Sequence, residues 1–234
     1  MKSFRYQSHG FLLLLILLYS FPSLYAADAQ QRYCIKEGYI SRLDNIQFDD
    51  TGNHDEYQDE VYLAAQAIAE KYHYTTIADV GCGSGFKLMK YFRSYKTVGF
   101  EIQPTLGFLL RKYPDKHWEI SDFGKSLSEK QFDLIICADV IEHLIDPNQL
   151  LEWLQECNFG LLVISTPDRD RLLDVQNNNP QSQTGPPVNP AHVREWGFGE
   201  FASFIGQYFE VISHFHTERE YWGQVIVVKK RTSE

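Results

Sequence analysis

Basic residues are scarce in this chain: 22 Lys and Arg stand against 31 Asp and Glu, a net charge of −9 over 234 residues. Lys229-Lys230-Arg231 is the one basic run, and a solvated tail accounts for it. A sequence-independent grip on nucleic acid needs clustered Lys and Arg, so the charge balance argues against that class. Cysteine is sparse as well. Cys34, Cys82, Cys137 and Cys157 are scattered without a C-x-x-C pair, which matches neither a disulfide scaffold nor a cysteine metal site. Cys82 lies between two glycines of a loop, Cys137 ends an apolar strand and Cys157 lies near a helix end, places where a thiol acts as a small apolar group. No internal repeat is present. The two methionines are Met1 and Met89, so a later start codon would fall inside the domain described next.

What is present is a strand, a glycine loop, a helix and a second strand ending in an acid. Thr76 to Val80 is apolar, β-branched and stopped by glycine, the pattern of a short buried strand. Gly81-Cys82-Gly83-Ser84-Gly85 then makes a tight turn with no Cβ to block a ligand. Helical spacing resumes at Phe86, Leu88, Met89 and Phe92, which sets the loop's N–H groups at a helix N-terminus. Beyond it Thr97-Val98-Gly99-Phe100 ends in Glu101, where a carboxylate can accept both hydroxyls of a ribose. A P-loop needs Gly-Lys-Ser/Thr, but Gly85 is followed by Phe86-Lys87-Leu88. A dinucleotide fingerprint would carry its third glycine one residue later.

Asp79-Val80-Gly81-Cys82-Gly83-Ser84-Gly85 resembles motif I of the class I S-adenosylmethionine-dependent methyltransferases, D/E-x-G-x-G-x-G. The resemblance extends to Ser121-Asp122-Phe123, where the family places an adenine-binding acid. It continues through the run from Phe132 to Leu144, similar to the fourth strand and "EH" segment of a broad group that includes ubiquinone-biosynthesis enzymes. It implies a Rossmann-like, doubly wound α/β sheet of seven strands, mostly parallel with an antiparallel C-terminal strand. S-adenosylmethionine is then the methyl donor, with Asp79, Gly81, Cys82, Gly83, Glu101, Asp122, Phe123 and Asp139 about it. Asp139 is expected to face the methionine part.

Three segments are expected: residues 1–29, a signal peptide or anchor; 30–54, an acidic lead-in; and 55–230, the methyltransferase domain. Lys2 and Arg5 precede the apolar run Phe11 to Tyr19, then Pro22 and the small residues Ala26-Ala27-Asp28-Ala29. That order is a secretory signal's, with cleavage after Ala26 or Ala29, or an uncleaved anchor's. The domain is then exported or membrane-anchored, and cytoplasmic if the segment is not functional. From Arg42 to Glu60 seven acids face one basic residue, read as a solvated stretch. Strands and helices alternate from Thr76 onward. Residues 168–193, rich in Asn, Gly and Pro, break that rhythm and are read as an irregular lid.

Methyl transfer from a sulfonium is largely positioning and exclusion of water, and a base is needed only if the acceptor must lose a proton. His192, at the lid's far end, and His143 are the candidate catalytic residues. Glu142-His143 is read as shaping the pocket, with no metal. The alternative is a divalent-metal site of Glu142, His143 and His192, because Asp139-x-x-Glu142-His143 and Asn189 to Trp196 resemble the pattern of small-RNA 2′-O-methyltransferases. This sequence departs from it with an aspartate for a glutamate and one matching downstream histidine. The charge and the aromatic-bordered lid favour a small-molecule acceptor, such as a phenol, sugar or lipid-linked headgroup. An RNA or protein methyltransferase, or a non-catalytic cofactor-binding module, are the other readings.

Overall fold

The computed structural model describes residues 32–44, 48–49, 51–52, 57–175, 183–219 and 222–231. The N-terminal apolar segment lies outside them. Among the described residues no helix is long and apolar enough to cross a membrane.

Seven strands form one sheet in the order β3-β2-β1-β4-β5-β7-β6: β1 (Thr76–Val80), β2 (Lys96–Glu101), β3 (His117–Ile120), β4 (Gln131–Ala138), β5 (Asn158–Pro167), β6 (Glu210–His216) and β7 (Gly223–Lys229). The pairs β1–β2, β1–β4, β2–β3 and β4–β5 are parallel. β7 runs antiparallel to both β5 and β6. This is the expected doubly wound sheet with its antiparallel C-terminal strand.

The strand sequences are nearly continuous in apolar residues because both faces are covered. Leu134, Ile136, Val163, Val225 and Val227 face one core, with α1 (Asp59–Tyr72), α2 (Phe86–Tyr91) and α3 (Thr105–Lys112). Their neighbours Ile135, Cys137, Leu162, Ile164, Ile226 and Val228 face the other, with α4 (Pro147–Glu156) and α6 (Phe198–Ile205). Local chemistry sets the helix starts. Asp146 caps α4 by accepting from the Asn148 N–H, ahead of Pro147 in the first turn. Asp59 and Glu60 open α1 at the positive end of its dipole. The chain winds in opposite directions from β1 and β4, so a crevice opens beyond their carboxyl ends, where such sheets take ligands.

One expectation is corrected, and one segment acquires a place. Ahead of the acidic stretch, Tyr33, Ile35 and Tyr39 are buried in the second core. The Tyr33 carbonyl accepts from Trp196 Nε1 at 2.9 Å, and Tyr39 Oη accepts from the Glu195 N–H at 3.0 Å. Residues 168–193 are also more ordered than their composition suggests. α5 (Arg169–Val175) occupies the first part; residues 176–182 lie outside the described residues. Ala191 to Trp196 are buried, and the Ile40 N–H donates to the Thr184 carbonyl at 2.7 Å. Glu200 ties these parts together, accepting from the Lys36 N–H at 2.8 Å, Arg169 Nη1 at 2.6 Å and the Gly197 N–H at 2.9 Å.

Candidate active site

The glycine loop leaves β1 at the crevice. Gly81 has φ +71°, and a Cβ there would stand 2.3 Å from Val140 Cγ2, so the loop closes against the turn after β4 only with glycine. The Gly83 N–H donates to Glu101 Oε2 at 2.8 Å, and the Ile102 N–H to Oε1 at 2.8 Å. The acid ending β2 is thus braced by the loop it serves. Asp79 sits lower than expected, fully buried beneath the loop, where it accepts from Tyr62 Oη at 2.9 Å. Cys82 is buried too. Asp122 follows β3 and stays exposed enough to pair with Lys125 at 3.4 Å. Phe123 tilts against Trp153 with ring centroids 5.3 Å apart.

Beyond β4 the chain turns sharply. Asp139 takes the left-handed region at φ 51°, uncommon for a side chain with a Cβ and typical of functional turns. Ser165 Oγ donates to Asp139 Oδ1 at 2.6 Å. Loss of water raises the Asp139 pKa, opposed by its bonds to Ser165 and Gln58. A single 3-10 turn, Ile141–His143, follows. It carries Glu142 into the interior with no exposed surface. Thr166 Oγ1 donates to Glu142 Oε2 at 3.1 Å, whereas Oε1 is buried with no hydrogen-bond partner among the described residues. Burial, and after it the charge of Asp139, hold this carboxyl well above the usual range.

The segment returning from residue 183 is laced to that turn. The Val193 N–H donates to the Glu142 carbonyl at 2.7 Å. His143 Nδ1 lies 2.9 Å from the Ala191 carbonyl; a carbonyl only accepts, so Nδ1 carries the proton and the lone pair is on Nε2. Burial, then the neighbouring His192, push His143 down to about 4. His192 is buried: Nδ1 is 2.7 Å from Glu195 Oε1, and Nε2 is 2.9 Å from Asn189 Nδ2. Asn189 Oδ1 accepts from the Ala191 N–H, which fixes the amide orientation and makes Nε2 the acceptor. The rings of His143 and His192 meet edge to face, centroids 4.9 Å apart. Donor atoms of Glu142, His143 and His192 all lie within 4.8 Å of one another.

The structure therefore gathers Asp139, Glu142, His143 and His192 about the turn after β4, against which the glycine loop packs through Gly81 and Val140. His192 is not a loose hinge residue but a clamped one. Thr166, Ser165, Gln58 and Asn189 were not singled out from the sequence. Isolated polar residues carry no such signal, although Asn189 before Pro190 marks a turn.

A doubly wound sheet with this strand order, a D-x-G-x-G-x-G loop at its switch point and an acid at the end of β2 define an S-adenosylmethionine-dependent methyltransferase. Residues 42–220 match the family described as a methyltransferase domain, and the chain belongs to that family, with S-adenosylmethionine as methyl donor. No curated protein sequence matches it significantly. Among solved structures it is similar to the PH0226 protein of Pyrococcus horikoshii, at 16% identity and TM-score 0.59, over 79% of this chain and 96% of that one. The methyltransferase domain of bacterial CtHen1 superposes with TM-score 0.55 at 18% identity, over 74% and 99% of the two chains. The plantazolicin methyltransferase BpumL, solved with S-adenosylhomocysteine, gives 0.58 at 14% identity, over 78% and 89%. At these identities the likeness is one of fold.

Two outcomes follow from the geometry. If Glu101 accepts the ribose hydroxyls, as its place at the end of β2 leads one to expect, Glu101→Ala should weaken S-adenosylhomocysteine by roughly 10- to 100-fold in calorimetry, the scale of lost charge-assisted bonds. His143 is kept neutral by the fold, so the unfolded chain takes up its proton first as pH falls below about 6.5. That lost stability appears between about 6.5 and 4, the His143 value. Urea unfolding at pH 7 and pH 5 should differ by about 2 kcal/mol more in the native chain than in His143→Asn.

Proposed function

We propose that the chain methylates an oxygen of a small acceptor molecule, with a divalent cation held by Glu142, His143 and His192 binding that oxygen. The observation that carries this reading is Glu142 Oε1, buried without a hydrogen-bond partner among the described residues and converging with two imidazoles. A buried carboxylate oxygen costs free energy unless something satisfies it. A mixed carboxylate and imidazole set suits Mn²⁺, Fe²⁺, Co²⁺ or Zn²⁺.

The residues around the trio fit the same role. The Ala191 carbonyl and Glu195 hold the protons of His143 and His192 on Nδ1, the arrangement that orients metal-binding imidazoles and raises their basicity. At His192 the Asn189 amide now occupies Nε2 and would give way on binding. The cation, when bound, would lower the pKa of an acceptor hydroxyl and polarise it towards the oxyanion. Asp139, braced by Ser165, would orient the amino acid end of the donor. Residues 191–196 are themselves buried, and charge interactions beside such a segment are strengthened by its low polarity.

A small acceptor accords with the net charge of −9 and with a sequence whose one basic run is Lys229-Lys230-Arg231. The same fold serves acceptors of several kinds. The similar structures include a human N-acetylserotonin methyltransferase and BpumL with a monoazolic desmethylPZN analogue.

Extract of the source cells, incubated with methyl-labelled S-adenosylmethionine and the protein, should carry label in the small-molecule fraction. EDTA or Glu142→Gln should cut that label at least tenfold. Label confined to RNA or protein would overturn the acceptor, and labelling indifferent to EDTA would overturn the cation.

A further inference from the structure

Arg194 stands between Val193, whose N–H donates to the Glu142 carbonyl, and Glu195, which holds His192. It is 3% exposed. Its guanidinium donates to two backbone carbonyls, from Nη1 to Leu144 at 2.7 Å and from Nη2 to Ile145 at 2.6 Å. Leu144 ends the 3-10 turn that carries Glu142 and His143, and carbonyls at such an end lack partners within the turn. Bonds from a charged donor are short and about twice as strong as neutral ones. The same guanidinium touches the lead-in: Cζ stands 4.3 Å from the centre of the Tyr33 ring, and Nε donates to Ser41 Oγ at 3.4 Å.

The lead-in holds every residue of the run 193–196. The Arg42 N–H donates to the Val193 carbonyl at 2.8 Å. Tyr33 and Ser41 take Arg194, Tyr39 takes the Glu195 N–H, and the Tyr33 carbonyl takes Trp196 Nε1. The Arg194 side chain joins this strap to the turn. A buried arginine is costly unless it is paired; here the partners are carbonyls of the trio's turn and a ring of the strap. We propose that Arg194 is a positioning residue for methyl transfer: its planar fork fixes the end of the 3-10 turn, so that Glu142 and His143 keep their relation to His192, and residues 33–42 hold the fork in place. The inference rests on the reading above where it concerns the cation; the placement of His143 is separate from it. Lysine is no substitute, because an ammonium group has neither the planar fork nor the stacking face.

The test compares Arg194→Lys and Arg194→Met with the native full chain by two readings. The first is the nitrogen-15 spectrum of the histidine rings at pH 7 without metal. Native His143 should show one tautomer, with the proton on Nδ1 facing the Ala191 carbonyl, and both variants a mixture of the two. The second is Mn²⁺ titration, in which both variants should bind about tenfold more weakly, the lower end of the scale for a lost orienting partner. S-adenosylhomocysteine affinity should be unchanged, which also shows that the variants folded. If neither Arg194 variant folds, Tyr33→Leu takes their place, with the same mixed tautomer and a loss of about threefold on the same order-of-magnitude scale. A single His143 tautomer in a folded variant, or native Mn²⁺ affinity there, overturns the inference. A native chain that binds no Mn²⁺ counts against the cation instead. The histidine spectrum then decides alone: mixed tautomers in the variants support the role of Arg194, and a single one overturns it.

Discussion

A carboxyl oxygen buried with no hydrogen-bond partner among the described residues is the constraint around which this site is built. Glu142 lies wholly inside the protein, with Thr166 satisfying one oxygen and no described residue satisfying the other. Taking a carboxylate out of water costs several kcal/mol even after relaxation, and the neighbouring Asp139 adds to the cost. A fold selected for stability alone would place an apolar residue there. Glu142 is held instead by its own backbone, whose carbonyl accepts from the Val193 N–H. Local cost at one residue is carried by packing elsewhere, as at many functional sites.

That backbone bond has consequences in both directions along the chain. It brings Ala191 and His192 beside His143, and it makes the return of the chain from residue 183 part of the active site. The lead-in then has a role: Tyr33 and Tyr39 accept from Trp196 and the Glu195 N–H, holding the far side of the same segment. Trp196 in turn stacks on Phe204 of α6 at 5.5 Å and 9°. The histidine pair is therefore positioned by the second core. The glycine loop depends on β1, β2 and the fit of Gly81 against Val140, two residues before Glu142, so the loop and the turn carrying the trio are packed directly together.

The βαβ unit with its glycine loop was legible in the sequence because its information is local. Strand, glycine loop, helix and Glu101 follow one another within one βαβ unit, and each step has its own chemistry. Asp139, Glu142 and His143 were equally readable, being neighbours on one turn. The convergence of His192 with Glu142 was not derivable from spacing, since a backbone bond between distant segments sets it. Residues 168–193 misled because the later prolines coloured the whole stretch, whereas Arg169 to Val175 has the composition of an ordinary short helix. Tyr33, Ile35 and Tyr39 follow no single period, so their burial left no pattern among the acids that follow.

The central claim is that Glu142, His143 and His192 form a cation site. Titration of Mn²⁺ into the metal-stripped full chain, followed by electron paramagnetic resonance of the free ion, tests it most directly. One ion per chain should bind in the micromolar range. Glu142→Gln and His192→Ala should each weaken it by at least tenfold, the usual scale for a lost ligand or its orienting partner, with S-adenosylhomocysteine binding unchanged. No bound ion in the native chain, or equal binding in the variants, would contradict the account.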